Sequence, residues 1–124
     1  TPQRFGMVRD ALDEARAAAP IDGVFATDDL AAAEVLEWAR TRELSVPTDL
    51  SVIGFDGTET MRRALPHLAT IRQPIAAIAQ EAVTILLDQI EGKAPRPSSD
   101  EAGAPHAQTV EFPGTLIPGR SLAV

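Results

Sequence analysis

Residues 46–56 read VPTDLSVIGFD, and this stretch decides how the chain folds. Pro47 and Asp49 mark a turn, since proline and aspartate favour turn geometry, and an apolar run at 52–55 follows them. A short, unbroken apolar run is typical of a strand buried on both faces of a parallel sheet. Residues 21–29, IDGVFATDD, repeat the order of turn, apolar run and acid. We therefore predict two buried parallel strands, each followed by a carboxylate.

Helical patterns alternate with the strand patterns along the chain. The strongest helix opens at Pro74 and stops at Gly92, and we interpret its isoleucine-rich stripe as a core face rather than a partner-binding surface. The predicted helices cover residues 5–19, 30–42, 58–65 and 74–90, and the predicted strands cover 24–27, 51–56, 68–72, 109–112 and 115–117. This alternation predicts an α/β protein with a parallel sheet.

The composition limits the possible partners. Of 124 residues, 44% are hydrophobic and none is cysteine, which excludes a disulfide framework and cysteine-ligated metal. No apolar run approaches the roughly 18 residues of a membrane span, so we expect no membrane association. The net charge is −7, and the basic residues are scattered instead of forming the basic face that nucleic-acid binding needs. The chain alone is therefore not expected to bind DNA.

Asp28 and Asp56 are the main candidate site residues, because each follows a predicted parallel strand. Ligands of open α/β sheets bind outside the carboxyl ends of the strands, where both carboxylates are expected. Together with Asp29, these carboxylates can hold a polyol, bind a metal ion, or act as a carboxylate pair that hydrolyses a glycoside. Alternatively, Asp28 or Asp29 caps the following helix and Asp56 only begins a turn. The spacing leaves these interpretations open.

Other chemistry lacks the residues that it needs. No glycine-rich G-x-G-x-x-G turn precedes Asp56, and the sequence has neither a G-x-S-x-G elbow nor a phosphate-binding G-x-x-x-x-G-K loop. His67 and His106 lack metal-ligand spacing and are expected on the surface, whereas Trp38 is expected to pack in the core. We predict no enzyme activity, no cofactor and no metal site.

Three ordered motifs resemble the LacI/GalR family of transcriptional regulators. Residues 21–31, IDGVFATDDLA, are similar to the family segment in which a strand ends in Asn-Asp and opens a helix. Residues 46–56 match the signature VPxDLSVIGFD, and residues 68–74, LATIRQP, are similar to LTTIRQP. The resemblance extends from about residue 5 to residue 92 without a gap and resumes weakly near Val110.

The resemblance implies a fold like that of periplasmic sugar-binding proteins. In the family, two α/β subdomains close on a ligand, behind an N-terminal helix-turn-helix that binds an operator as a homodimer. This chain would be the C-terminal portion of such a type I effector domain in a cytoplasmic regulator, and it would reach operator DNA only through the missing N-terminal domain. Residues 1–74 would belong to the C-terminal subdomain, 75–92 to a crossover helix of the N-terminal subdomain, 93–108 to a flexible loop, and 109–124 to the last strands and tail.

The same resemblance implies a small-molecule effector, a sugar, and assigns three residues to its binding. Asp28 takes the place of the family's ligand-contacting asparagine. Asp56 matches the aspartate that hydrogen-bonds the hydroxyls or a base of the effector, and Gln73 matches a polar residue near the crossover between subdomains. A carboxylate at position 28 only accepts hydrogen bonds, which favours an effector rich in donors or carrying positive charge.

Two other functions fit the same residues. A sugar-binding component of a transporter shares the fold, and a carbohydrate-active enzyme would use Asp28 and Asp56 for turnover. We also expect an unpaired sheet edge and an uncovered stripe on the helix after Pro74, which predict self-association. Because the ligand cleft needs both subdomains, we expect sugar binding by the chain alone to be weak.

Overall fold

The computed structural model of the chain describes residues 2–93 and 109–123, with side chains from residue 6 onward. Most of the predicted flexible loop 93–108, including His106, lies outside the described residues. The chain forms two compact units, one made of residues 1–73 and 114–124 and the other of residues 74–113. No helix in the described ranges is long and apolar enough to cross a membrane.

Four helices and four strands follow one another in the described ranges. They are α1 (Pro2–Ala18), β1 (Gly23–Phe25), α2 (Asp29–Thr41), β2 (Ser51–Asp56), α3 (Glu59–Ala64), β3 (Ala69–Arg72), α4 (Ile75–Ile90) and β4 (Thr115–Ile117). The strands form one sheet in the order β1-β2-β3-β4, with β1, β2 and β3 parallel and β4 antiparallel to β3. The predicted α/β class with a mostly parallel sheet is confirmed.

The core of the first unit lies between α2 and the central strand β2. Val35 and Trp38 of α2 are buried against Leu50 and Val52, which lie just before and within β2. Full burial of a large apolar side chain stabilises a fold by about 1.5–3 kcal/mol. The run at residues 52–55 forms the middle of β2. Val52 and Gly54 are buried on one face of the strand, and Ile53 and Phe55 are half-buried on the other. No residue of β1 is buried in the described part of the chain, and Phe25 is 64% exposed, so the prediction of a second buried strand is wrong for β1.

A polar cluster fastens α1 to α2. The indole Nε1 of Trp38 donates to Asp13 Oδ1 at 2.9 Å, and the Arg42 guanidinium donates to both Asp13 oxygens. The hydrogen bond from Trp38, followed by that from Arg42, lowers the pKa of the Asp13 carboxyl. Trp38 is only 1% exposed, so the predicted packing role is confirmed.

The C-terminal tail closes the amino end of the sheet. Ser121 is buried, and its hydroxyl donates to the Val52 carbonyl at 2.7 Å while accepting from the Ala69 N–H at 2.8 Å. The Ser121 carbonyl also accepts from the Val52 N–H at 2.6 Å. A Cβ at Gly119 would come within 2.5 Å of the Ala69 nitrogen, so glycine permits this close approach. One serine thus satisfies backbone groups of both β2 and β3.

In the second unit, no residue of α4 is buried in the described part of the chain, which agrees with the expectation of an uncovered stripe. The unit differs from the sequence prediction in two respects. Pro74 is the N-cap of α4 and not its first helical residue. Residues 109–112 do not form a strand, since no neighbouring strand pairs with them and Pro113 lacks the N–H that would extend a ladder. At the helix end, Gly92 takes a positive φ of 72°, as its predicted role as a stop requires.

Candidate functional site

The candidate site lies where the parallel strands β1 and β2 reach their carboxyl ends. Asp28 follows β1 and is the N-cap of α2, with an extended backbone and a side chain that accepts from the Ala31 N–H at 2.7 Å. The cap interpretation of Asp28 is therefore confirmed. A cap of this kind stabilises a helix by about 1 kcal/mol, and it fixes the carboxylate at the positive end of the helix dipole.

Asp56 ends β2 in an unusual backbone conformation. Its φ is 106°, a region that residues other than glycine rarely adopt and that costs about 1–3 kcal/mol. The side-chain Nε2 of Gln73 donates to Asp56 Oδ1 at 2.6 Å, and the Gln73 backbone N–H donates to the Asp56 carbonyl at 3.2 Å. The structure thus joins Asp56 and Gln73, both half-buried, although 17 residues separate them.

Asp29, for which the sequence left open a ligand contact or a helix cap, is instead a buried polar centre. Its side chain is 2% exposed, its Oδ2 accepts from the Gly57 N–H at 3.0 Å, and its Oδ1 accepts from the Thr70 hydroxyl at 2.5 Å. Helical spacing carried a signal for this position, because Asp29 shares a face of α2 with buried Ala32 and Val35. Its two partners, by contrast, come from distant turns and strands that local sequence does not connect.

The site is suited to accepting hydrogen bonds from a ligand. Asp28 and Asp56 contribute carboxylate oxygens, and Gln73 contributes an amide that can both donate and accept. Neighbouring hydroxyl groups of a polyol would find several acceptors at this edge of the sheet. Across residues 2–93 and 109–123, no group of three or more potential ligands could hold a metal ion.

The remaining sequence candidates lie elsewhere. His67 is exposed, as expected, with an Arg120 Nη2 at 3.0 Å from its Nδ1. It borders a groove at the amino end of β3 whose apolar lining includes Leu36, Val46 and Leu65. A second groove lies between α1 and α2 and is lined by residues such as Leu30 and Glu34. Neither groove includes Asp28, Asp56 or Gln73.

Comparison with known proteins places this site in a family context. Residues 2–122 match the periplasmic binding protein-like domain, which covers nearly the entire chain. The chain belongs to this family. Within it, the chain has the form of a LacI/GalR-type effector domain, as its relatives indicate.

The relatives of this periplasmic binding protein-like domain are named as transcriptional repressors. The chain is 46% identical over 70 residues to the sucrose operon repressor of Pediococcus pentosaceus, covering 56% of this chain and 22% of that protein. It is 42% identical over 74 residues to the transcriptional repressor CytR of Escherichia coli, covering 60% of this chain and 22% of CytR. The chain therefore spans about a fifth of the length of these curated relatives.

A solved structure supports the same placement. The complex of the transcriptional regulator CelR with cellobiose superposes with a TM-score of 0.73 at 26% identity, covering 94% of this chain and 32% of that one. The periplasmic-binding-protein-like fold expected from the motifs is therefore confirmed.

Proposed function

We propose that this chain is the effector-sensing part of a LacI/GalR-type transcriptional regulator and that its effector is a sugar. The observation that carries the proposal is the Asp56–Gln73 hydrogen bond at 2.6 Å, formed on a strained residue at the carboxyl edge of the sheet. The names of the relatives support a regulator over the sugar-binding component of a transporter.

The chemistry of the edge supports a hydroxyl-rich effector. Asp28 and Asp56 are hydrogen-bond acceptors, and hydrogen bonds from a neutral donor to a charged acceptor are stronger than those between neutral groups. On ligand binding, the Gln73 amide would either leave Asp56 and bond to the ligand or bond to Asp56 and the ligand together. A carboxylate rather than an amide at position 28 favours an effector that presents several donors or a positive charge.

Allosteric coupling follows from differential binding to two states. Gln73 directly precedes Pro74, the first residue of the second unit, so a ligand that moves Gln73 acts on the chain entering α4. The intact regulator would have two arrangements of its subdomains. An effector that binds one of them more tightly shifts the population towards it and so changes operator affinity. Operator binding would use a helix-turn-helix in the intact cytoplasmic regulator, acting as a homodimer.

Nuclear magnetic resonance titration of the ¹⁵N-labelled chain tests the proposal. Sucrose, ribose and cellobiose are added separately in the millimolar range, because we expect the chain alone to bind weakly. At least one sugar should shift the Gln73 side-chain amide and the Gly57 amide. Asp56→Asn should abolish these shifts, because a neutral amide in place of the carboxylate removes a charged acceptor.

Asp22→Asn is the matched control, since Asp22 is an exposed carboxylate just before β1, away from the proposed site. It should leave the shifts intact. An absence of shifts at Gln73 and Gly57 with all three sugars, or shifts that persist in Asp56→Asn, would contradict the proposal.

We also propose that the chain has no hydrolytic activity. Its relatives are named as repressors, and use of Asp28 as a helix cap leaves it poorly suited to act as a general acid. Incubation with sucrose and cellobiose followed by chromatography should recover both sugars unchanged. Release of monosaccharides that is lost in Asp56→Asn would favour the enzyme instead.

A further inference from the structure

We infer that Asp29 is a positioning residue that holds Asp56 in its strained backbone conformation. The effect on sugar binding rests on the proposed function, whereas the effect on Asp56 itself does not. Asp29 is not among the residues that the family motifs assign to the ligand, and its burial keeps it from touching one directly.

Helix capping does not explain why the carboxylate of Asp29 is buried. Its side chain is 2% exposed, and burying a charged group is costly unless hydrogen bonds compensate for the lost water. Asp28 already caps α2 through the Ala31 N–H. The two oxygens of Asp29 instead bind outside the helix, one to the Gly57 N–H and one to the Thr70 hydroxyl.

These two partners lie next to the candidate site. Gly57 directly follows Asp56. The bond from the Gly57 N–H to Asp29 therefore fixes the peptide group between Asp56 and Gly57, on the C-terminal side of the strained residue. Thr70 is in β3, three residues before Gln73. Asp29 itself follows Asp28. One buried carboxylate therefore ties together the three chain segments that carry the proposed ligand contacts.

The surrounding backbone is shaped around this carboxylate. A Cβ at Gly54 would overlap Asp29 Oδ1, so only glycine at this position of β2 leaves room for the charged group. Gly57 has a positive φ of 61°, and a Cβ there would come within 2.8 Å of the Arg72 Cα. A side chain at Gly54 would displace the Asp29 carboxylate, and one at Gly57 would require movement of the backbone at Arg72. Close packing of Gly54 against Asp29 and of Gly57 against Arg72 thus restricts the position of the Gly57 N–H relative to the Asp29 carboxylate.

The test measures amide exchange and side-chain signals in the sugar-free, 124-residue chain. In Asp29→Asn, the Gly57 amide should exchange at least about tenfold faster, because one ionised acceptor is lost. The signals of the Gln73 side-chain amide should also shift, because this amide donates to an Asp56 oxygen whose position is no longer fixed. The Gly57 amide should lose more protection than the Trp38 indole and the Val52 amide, which separates local repositioning from a loss of global stability.

A second pair of variants keeps the test decisive if Asp29→Asn does not fold. Thr70→Val removes the hydroxyl donor and keeps the size, whereas Thr70→Ser keeps the donor. Thr70→Val should speed exchange at Gly57 and move the Gln73 signals, and Thr70→Ser should restore both towards the original chain. The inference is overturned if the Gly57 exchange of a folded Asp29→Asn chain matches the original, or if the two Thr70 variants behave alike.

Sugar binding provides the final, separable readout. With a sugar that binds the original chain, Asp29→Asn should weaken the affinity about tenfold, since a less rigidly held Asp56 carboxylate is no longer preorganised. An unchanged affinity would overturn the role of Asp29 in binding. If no sugar binds the original chain, the proposed function fails, while the Gly57 and Gln73 measurements still decide whether Asp29 positions Asp56.

Discussion

The two ends of the parallel sheet satisfy their backbone groups in different ways. At the amino end, the neutral hydroxyl of Ser121 bridges β2 and β3 and uses both its donor and its acceptor capacity. At the carboxyl end, the carboxylate of Asp29 bridges α2, the turn after β2, and β3. Both residues are almost fully buried, at 4% and 2% exposure, so burial alone does not distinguish a structural end from a functional one.

What distinguishes the ends is the group placed beside the buried bridge. The carboxyl end carries a residue at a φ of 106° and a second, half-buried carboxylate, Asp28. The amino end carries a glycine turn and a serine whose hydrogen bonds are all internal. Strain beside charged acceptors supports the proposed binding edge, whereas the fully paired neutral bridge at the other end fits a structural role.

Removing the carboxylate bridge should have the largest effect on stability. Asp29→Ala leaves the Gly57 N–H and the Thr70 hydroxyl without their buried acceptor, and each such loss costs about 1–3 kcal/mol. We expect a total loss of about 3 kcal/mol in the free energy of unfolding, measured by urea denaturation. Asp10→Ala, at an exposed position of α1, is the control and should change stability by less than about 0.5 kcal/mol. An Asp29→Ala chain as stable as the original would mean that the carboxyl end does not depend on its bridge.

Removing the neutral bridge should have a smaller effect. Ser121→Ala leaves the Ala69 N–H and the Val52 carbonyl without their hydroxyl partner, for an expected loss of about 2 kcal/mol. The Ser121 backbone still pairs with Val52 and His67, which limits the damage. The exposed Ser45→Ala is the matched control and should stay within about 0.5 kcal/mol of the original. Sugar-dependent shifts at Gln73 should survive Ser121→Ala, and their loss would erase the distinction between the two ends.

The contacts of Asp13 that join α1 to α2 should depend on pH. Because the pKa of Asp13 is lowered in the folded chain, its stabilising contribution is present above the unfolded value of about 3.9 and is lost as the pH falls through the folded value. Trp38, the only tryptophan, should report this loss as a change in fluorescence. Asp13→Asn should remove that transition, whereas the exposed Asp10→Asn should retain it. An identical acid profile in both variants would exclude Asp13 as its source.

The smallest expected effect on stability comes from the apolar stripe of α4. Leu86 and Ile90 are 55% and 65% exposed, so replacing both with glutamine removes little buried area. We expect the original chain to self-associate at high concentration through such exposed apolar surface, and the double variant to associate less. Sedimentation velocity measures both states, with the exposed Ala77→Gln as control. A chain that is monomeric at all concentrations would contradict this expectation.

Local sequence predicted the elements and the position of two candidate acids. The predicted strand 51–56 coincides with β2, and the predicted strand 24–27 overlaps β1, which ends two residues earlier at Phe25. Short apolar runs bounded by turn signals favour strands at both places. Asp28 and Asp56 follow those strands, so a parallel arrangement brings both to the carboxyl edge. Strand prediction failed at 109–112, where the run Thr-Val-Glu-Phe has no partner strand to pair with.

The sequence by itself determined the α/β pattern, the family motifs and the edge of the sheet where a ligand would bind. Only the tertiary structure decided that Gln73 bonds to Asp56, that Asp29 is buried between Gly57 and Thr70, and that Ser121 closes the opposite end. The physical reason is the range of the interactions. Periodicity and turn propensity act within a few residues, whereas these hydrogen bonds join groups 17 to 69 residues apart and form only once the sheet has assembled.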